Sequence, residues 1–228
     1  MRNSVNLKAL ATNNPAIFAD DPNTAALVNS GRARFRNRTY YHRKVISLAG
    51  GIQELLDKTA DTVAGITDLV KGGFVEENTA FLLTGIRLRY AYHASDAVVS
   101  DKLYSNNIFN PTDVAADSTD QDAGVTGTQS APVPVRLIPQ NLTDGSYFKL
   151  MVGGKEIYKC LTGDFFKENI YSDFNRGHEI FVEDLGNYPQ LILPKKQIVP
   201  TVEMATALTS PSGVHFVEFS LIGGEIYE

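Results

Sequence analysis

Residues 79–93 read TAFLLTGIRLRYAYH. From Ile86 to Tyr92, a large apolar or aromatic side chain occupies every second position, and two arginines and an alanine stand between them. Side chains of a β-strand point alternately to the two faces of a sheet. The strict alternation therefore predicts a strand with one face buried and the other in water.

The sequence after residue 132 repeats the strand pattern at short intervals. Turn-forming pairs such as Asp144-Gly145 and Gly153-Gly154 separate the β-like runs. We expect strands at residues 133–138, 147–152, 155–161, 180–183, 190–193, 201–207 and 214–222, and one short helix at 163–172. Several strands at this spacing are typical of an antiparallel β-sandwich or barrel, so the predicted fold class is all-β.

Residues 45–71 are open to two interpretations. Apolar residues recur at helical spacing between Ile52 and Val70, whereas Gly50-Gly51, Gly65 and many β-branched residues favour strands. We expect two strands, at 45–48 and 62–68, and leave the residues between them unassigned.

Positive charge is concentrated at the N-terminal end of the chain. Residues 1–44 hold eight Lys or Arg and two acidic residues, a net charge of +6. The whole chain carries −5, so residues 45–228 carry −11. Residues 1–31 show no sustained hydrophobic period, apart from a short helix that we expect near 24–29. We interpret residues 1–44 as an extended basic arm and residues 45–228 as the β-sandwich body.

Arginines occupy every second position from Arg32 to Arg38. An extended chain places four such guanidinium groups on one side, where they repel one another unless anions are close. We therefore expect an anionic partner, which would be contacted by Arg32, Arg34, Arg36, Arg38, Arg43 and Lys44. Nucleic-acid phosphates and the carboxylates of a neighbouring subunit are equally open as that partner. The alternative is a solvated strand face.

Residues 105–134 form a long polar insertion with four aspartates and no lysine or arginine. A loop of this length is unusual unless it serves binding, so we expect it at an exposed surface or a subunit contact. Asp120 and Asp122 have the spacing of calcium ligands. The terminal glutamate of an EF-hand loop is missing, however, and we expect no metal site.

Motifs that would carry catalysis are missing from the sequence. The four histidines have no metal-ligand spacing, and there is no nucleophile elbow, phosphate-binding loop or dinucleotide fingerprint. The single cysteine, Cys160, excludes an internal disulfide and a cysteine-based zinc site. We expect no catalytic residue and no cofactor. No stretch reaches the length of a membrane span.

The order of these features resembles a known family. A basic N-terminal arm, the strand LLTGIRL at residues 82–88, a long polar insertion and a series of short strands are similar to the jelly-roll capsid proteins of icosahedral bacteriophages. The resemblance covers most of residues 35–228. It implies a single jelly roll with long loops, which assembles through its body and arm with copies of itself and other virion proteins.

The same resemblance implies a non-enzymatic virion structural protein, assembled in the host cytoplasm, whose arm can contact genomic nucleic acid. Two other functions fit the sequence. A phage spike, fibre or decoration protein would bind host glycan in a shallow groove and would not need a basic arm. A β-sandwich hydrolase would need a convergent cluster of groups with perturbed pKa values, which sequence spacing does not show.

Overall fold

Two antiparallel sheets pack against each other in the computed structural model. It describes residues 9, 13–56, 62–70, 73–95, 97–100, 102, 104, 109–114, 134–136, 138–166, 183–185, 188–205 and 212–228. The first sheet contains β1 (Arg34–Ile46), β3 (Ala80–His93), β8 (Glu183–Asp184), β9 (Gln190–Ile192) and β11 (Val214–Tyr227). The second contains β2 (Gly51–Glu54), β6 (Ser146–Val152), β7 (Lys155–Leu161) and β10 (Ile198–Met204). The predicted all-β sandwich is confirmed at this level.

In both sheets, all neighbouring described strands are antiparallel. In the first sheet the order is β1-β11-β3, and β8 and β9 both pair with the remaining edge of β3. In the second sheet the order is β2-β10-β6-β7. A separate pair is formed by β4 (Phe109–Val114) and β5 (Pro134–Arg136).

The main core lies between the two sheets. Ile86 and Leu88 from β3 and Phe219 from β11 meet Phe148 and Val202 from the second sheet, and all five are buried. The rings of Phe148 and Phe219 stack with centroids 5.9 Å apart. Burial of each such side chain contributes about 1.5–3 kcal/mol. The prediction that β3 and β11 supply the core is confirmed.

The opposite face of β3 differs from the sequence prediction. Arg87 and Arg89 were expected in water, but both side chains are largely covered and contact a buried glutamate of β11. Tyr92, expected on the buried face, is exposed at the end of the strand. The alternation therefore identified the strand correctly, but it did not show that the arginine face is largely covered.

The N-terminal segment belongs in part to the sandwich. Strand β1 pairs with β11 along its whole length, from Arg34 opposite Tyr227 to Ile46 opposite His215. Tyr40 and His42 are buried within this pairing. The predicted arm boundary at residue 44 therefore falls inside a strand, and residues 34–44 are part of the body. These residues were not assigned to the body from the sequence, because arginine side chains are rarely buried in a core strand.

Residues before β1 also pack on the body. The 3₁₀ helix η1 (Pro15–Phe18) and helix α1 (Pro22–Asn29) lie against the outer face of the first sheet, where Phe18 joins a small cluster with Leu82 and Ile226. The side chain of Asp21 caps α1 by accepting a hydrogen bond from the backbone N–H of Thr24 at 3.3 Å. The helix expected near residues 24–29 is confirmed.

A glycine pair carries the chain from the first sheet to the second. Gly50 and Gly51 have φ values of 94° and 83°, a left-handed conformation that favours glycine, and β2 begins at Gly51. The expected strand at 45–48 overlaps only the last two residues of β1, which ends at Ile46. The expected strand at 62–68 is wrong, because the structure has only isolated bridges there, such as His42 to Thr67.

The remaining predictions agree to different degrees. Strands β6 and β7 lie where expected, and β5, β8, β9 and β10 overlap the predicted runs. Helix α2 (Gln140–Thr143) was not predicted. The 3₁₀ helix η2 (Thr162–Phe165) covers the start of the helix expected at 163–172, and residues 167–172 lie outside the described residues. The expected loop at 105–134 contains β4, and its Asp120 and Asp122 are not among the described residues.

We expect a small, position-specific loss of stability when one methylene is removed from the core. Ile86→Val should lower the free energy of unfolding by about 0.5–1.5 kcal/mol, because Ile86 is fully buried. The same change at Ile52, whose side chain is 66 % exposed, should leave it nearly unchanged. Urea unfolding followed by circular dichroism measures both. Equal losses in the two variants would contradict the placement of β3 in the core.

Candidate functional site

The predicted arginine ladder lies on and just before β1, which is an edge strand among the described strands of its sheet. Arg34 and Arg36 are exposed, Arg38 and Lys44 are half-buried, and Arg32 precedes the strand. The guanidinium of Arg32 pairs with the carboxylate of Glu228 at the other end of the chain. Both groups are exposed, and such a pair contributes little to stability.

Glu225 of β11 is the carboxylate on which the inner part of the ladder converges. It lies opposite Arg36 in the strand register and is fully buried. Arg36 donates from Nε to Oε2 at 2.8 Å, and the hydroxyl of Tyr40 donates to Oε1 at 2.5 Å. Burial, followed by the hydrogen bond to Glu225, raises the pKa of the Tyr40 phenol, so this hydroxyl remains a donor.

The carboxylates of Glu76 and Asp68 also lie close to the ladder. Nη2 of Arg38 lies 3.4 Å from Oε1 of Glu76 and 3.9 Å from Oδ2 of Asp68. Asp68 also accepts a hydrogen bond from the backbone N–H of Tyr41 at 2.5 Å. Burial raises the pKa of Asp68 to about 6, against the opposing effects of that N–H and of Arg38. The anions that the ladder was expected to seek are thus supplied partly by the chain itself.

A second cluster occupies the outer face of the first sheet. Glu218 of β11 is almost fully buried and receives three arginines, which come from the strands on either side. Nε of Arg43 donates to its Oε2 at 2.9 Å, Nε of Arg89 donates to its Oε1 at 2.8 Å, and Nη2 of Arg87 donates to Oε1 at 3.3 Å. We call these four residues the Glu218 cluster.

The pKa values in the Glu218 cluster reflect burial and charge together. Burial pushes the pKa of Glu218 up, but the charges and hydrogen bonds of Arg89, Arg43 and Arg87 outweigh it and hold the pKa below its ordinary value. Burial, and next the charge of Arg89, lower the pKa of Arg87. The cluster therefore holds an ionised carboxylate under an excess of positive charge.

Exposed apolar side chains form a row across the outer face of the second sheet. In the strand register Ile52 of β2 lies opposite Glu203 of β10, Glu203 lies opposite Tyr147 of β6, and Tyr147 lies opposite Leu161 of β7. Directly opposed residues in antiparallel strands share a face. Ile52, Tyr147 and Leu161 are all exposed. We call these three side chains the apolar row.

Charged groups lie beside the apolar row, and Glu203 lies within it, between Ile52 and Tyr147. The ammonium group of Lys159 lies over the ring of Tyr147, 5.3 Å from its centroid. Lys149 lies 3.9 Å from carboxylate oxygens of both Glu156 and Glu203. Large apolar side chains within a polar rim are typical of surfaces that bind another protein.

The sequence predicted that Arg36, Arg38 and Arg43 contact an anionic partner, and the structure places carboxylates of the same chain beside all three, which the sequence analysis did not foresee. Glu218 and Glu225 are the two acidic residues of the mainly apolar strand β11, and their presence there was the signal available in the sequence. A charged residue inside a core strand requires a partner. Nothing in the sequence identified that partner, since Arg36 and Glu225 are 189 residues apart.

No family model, curated protein or solved structure matches this chain. Within the described part of the chain, no group of three or more His, Cys, Asp or Glu could hold a metal ion. No helix among the described residues is long and apolar enough to cross a membrane. His42 and His215 are buried, and Nδ1 of His215 lies 2.7 Å from the hydroxyl of Tyr90.

Proposed function

We propose that the protein is a virion structural subunit, a capsid protein of an icosahedral bacteriophage built on a single jelly roll. The observation that carries the proposal is the order of strand pairing. When β8 and β9 are counted as one interrupted strand and β4–β5 as an inserted hairpin, eight of the described strands remain. The first pairs with the eighth, the second with the seventh, the third with the sixth and the fourth with the fifth.

This pairing is what a folded antiparallel ribbon produces. In such a ribbon of eight strands, strand 1 pairs with 8, 2 with 7, 3 with 6 and 4 with 5. When the ribbon curls over a core, the pairs 1-8 and 3-6 lie in one sheet, and the pairs 2-7 and 4-5 lie in the other. The two sheets then contain strands 1-8-3-6 and 2-7-4-5, the arrangement of two Greek keys in a jelly roll. The orders β1-β11-β3-β8 and β2-β10-β6-β7 in the described strands support the proposed jelly roll.

A jelly roll does not by itself identify a capsid protein, since lectins and cupins share it. The apolar row supports a subunit that associates through the outer face of its second sheet. Copies of the same chain and other virion proteins are the partners that we propose. In this proposal the subunit assembles in the host cytoplasm and resides in the virion.

Genomic nucleic acid is a weaker candidate partner than the sequence indicated. Arg36, Arg38 and Arg43 are engaged by carboxylates of the chain itself. Among the ladder residues of β1, Arg34 remains exposed and available to a phosphate. Contacts with neighbouring subunits therefore carry most of the proposed assembly.

The proposal predicts that changing the apolar row to threonine prevents self-association. The purified chain should form a defined oligomer or closed particle, and the Ile52→Thr, Tyr147→Thr, Leu161→Thr variant should remain monomeric at the same concentration. Threonine suits an exposed strand, so the fold should persist. Size-exclusion chromatography with light scattering, followed by electron microscopy, measures the result.

Tyr188→Thr is the matched control, because Tyr188 is highly exposed and lies outside the apolar row. This variant should assemble like the parent chain. A parent chain that is monomeric at every concentration would contradict the proposal. Binding of that monomer to host glycans would instead favour a spike or decoration protein.

A further inference from the structure

The Glu218 cluster contains more positive charge than its own carboxylate can balance. Three guanidinium groups surround one carboxylate, which leaves two positive charges among these four residues. The side chains of Arg43, Arg87 and Arg89 are only 20 %, 13 % and 27 % exposed. Arginine does not lose its proton in proteins, so this charge cannot be removed by titration.

Among the residues that the structure describes, the groups around the cluster do not supply the missing negative charge. Nη1 of Arg43 donates to the carbonyl oxygens of Gly65 and Ser100, at 2.9 and 3.3 Å, and its guanidinium lies 4.8 Å from the ring centroid of Tyr104. Nη2 of Arg87 donates to the hydroxyl of Ser220 at 3.2 Å. Each of these partners is neutral. Nε of Arg87 is buried and has no hydrogen-bond partner among the described residues.

From this geometry we propose that the Glu218 cluster is a binding site for one oxyanion, a carboxylate or phosphate group, held by Arg43, Arg87 and Arg89. Partly buried positive charge in excess of its carboxylate is unfavourable, and guanidinium N–H groups form strong hydrogen bonds to the oxygens of carboxylate and phosphate groups. The site does not depend on the proposed capsid role, because one isolated chain contains all three arginines.

Thermal unfolding in phosphate and in sulfate tests the site on the full chain. At matched ionic strength against chloride, the midpoint should rise saturably, by about 5–10 °C when the anion is 100-fold above its dissociation constant. Arg87→Gln should abolish the saturable rise. In chloride alone this variant should be at least as stable as the parent, because it lacks a poorly solvated cation.

Arg34→Gln is the control, since Arg34 is exposed on β1 outside the cluster, and it should retain the full rise. The proposal is overturned if phosphate and sulfate act no differently from chloride, or if Arg87→Gln responds like the parent. It is also overturned if Arg87→Gln strongly destabilises the chain in chloride, as a purely structural arginine would require.

Light scattering of the same samples distinguishes the two sources of the oxyanion. If the site takes a carboxylate side chain from a second copy, phosphate should compete with it and lower the oligomeric fraction, and Arg87→Gln should do the same without phosphate. If the site takes free phosphate, the oligomeric fraction should stay constant while the midpoint rises. Both results support the site. If the apolar-row variant fails to assemble while Arg87→Gln assembles normally, that result bears on the proposed function and not on the oxyanion site.

Discussion

A chain that lacks residues 1–44 is expected not to fold cooperatively. The deletion removes most of the 13-residue strand β1, so that β11 loses the partner on one of its edges. It removes the buried ring of Tyr40, a loss of the size that costs about 3–5 kcal/mol in a core. It also leaves Glu225 and Glu218 without Arg36, Arg38 and Arg43. Together these losses are comparable with the whole stability of a domain, about 5–15 kcal/mol.

Deletion of residues 1–33 is the matched control, because it keeps β1 complete. It removes η1 and α1 and exposes Leu82 and Ile226, so the chain should fold with a lower midpoint. The protein has no tryptophan, so near-ultraviolet circular dichroism of its tyrosines follows tertiary structure. A cooperative transition of the 45–228 chain, similar to that of the full chain, would show that β1 is an arm after all.

The sequence predicted strands well where burial followed the period of two. β3, β6 and β11 were identified because large apolar side chains alternate along them, or nearly fill them, between clear turns. β1 was interpreted as an arm because its alternating residues are arginines, whose burial depends on carboxylates far away in the chain. Short-range pattern contains no information about such partners.

Of the candidate site, only the arginines could be predicted from the sequence, and their carboxylate partners could not. Alternation placed Arg87 and Arg89 together on one face, and the ladder drew attention to Arg36, Arg38 and Arg43. Convergence on Glu218 and Glu225 follows from β11 lying between β1 and β3, which is a property of strand order. The apolar row likewise arises from the register of four strands. Its members look like isolated surface residues in the sequence.

Glu218→Gln should strongly destabilise the protein. The substitution keeps the size of the side chain but removes the negative charge between Arg43, Arg87 and Arg89. Removal of one partner from a buried ion pair costs about 3–5 kcal/mol, because the remaining charges stay poorly solvated. Urea unfolding in chloride buffer at neutral pH measures the change. Glu203→Gln is the control, since its exposed carboxylate lies 3.9 Å from Lys149 on the second sheet and contributes little.

The pH dependence of stability, compared between the parent chain and Glu218→Gln, distinguishes an effect of lost charge from an effect of altered packing. The pKa of Glu218 is held below its ordinary value of 4.5, so the ionised carboxylate stabilises the folded state above that pH. This contribution disappears as the pH falls through the folded-state pKa. The difference in stability between the parent and Glu218→Gln should therefore be largest at neutral pH and shrink on acidification below 4.5. A difference that stays constant from pH 7 to pH 3 would mean that the substitution acts through packing, and that the three arginines do not depend on this charge.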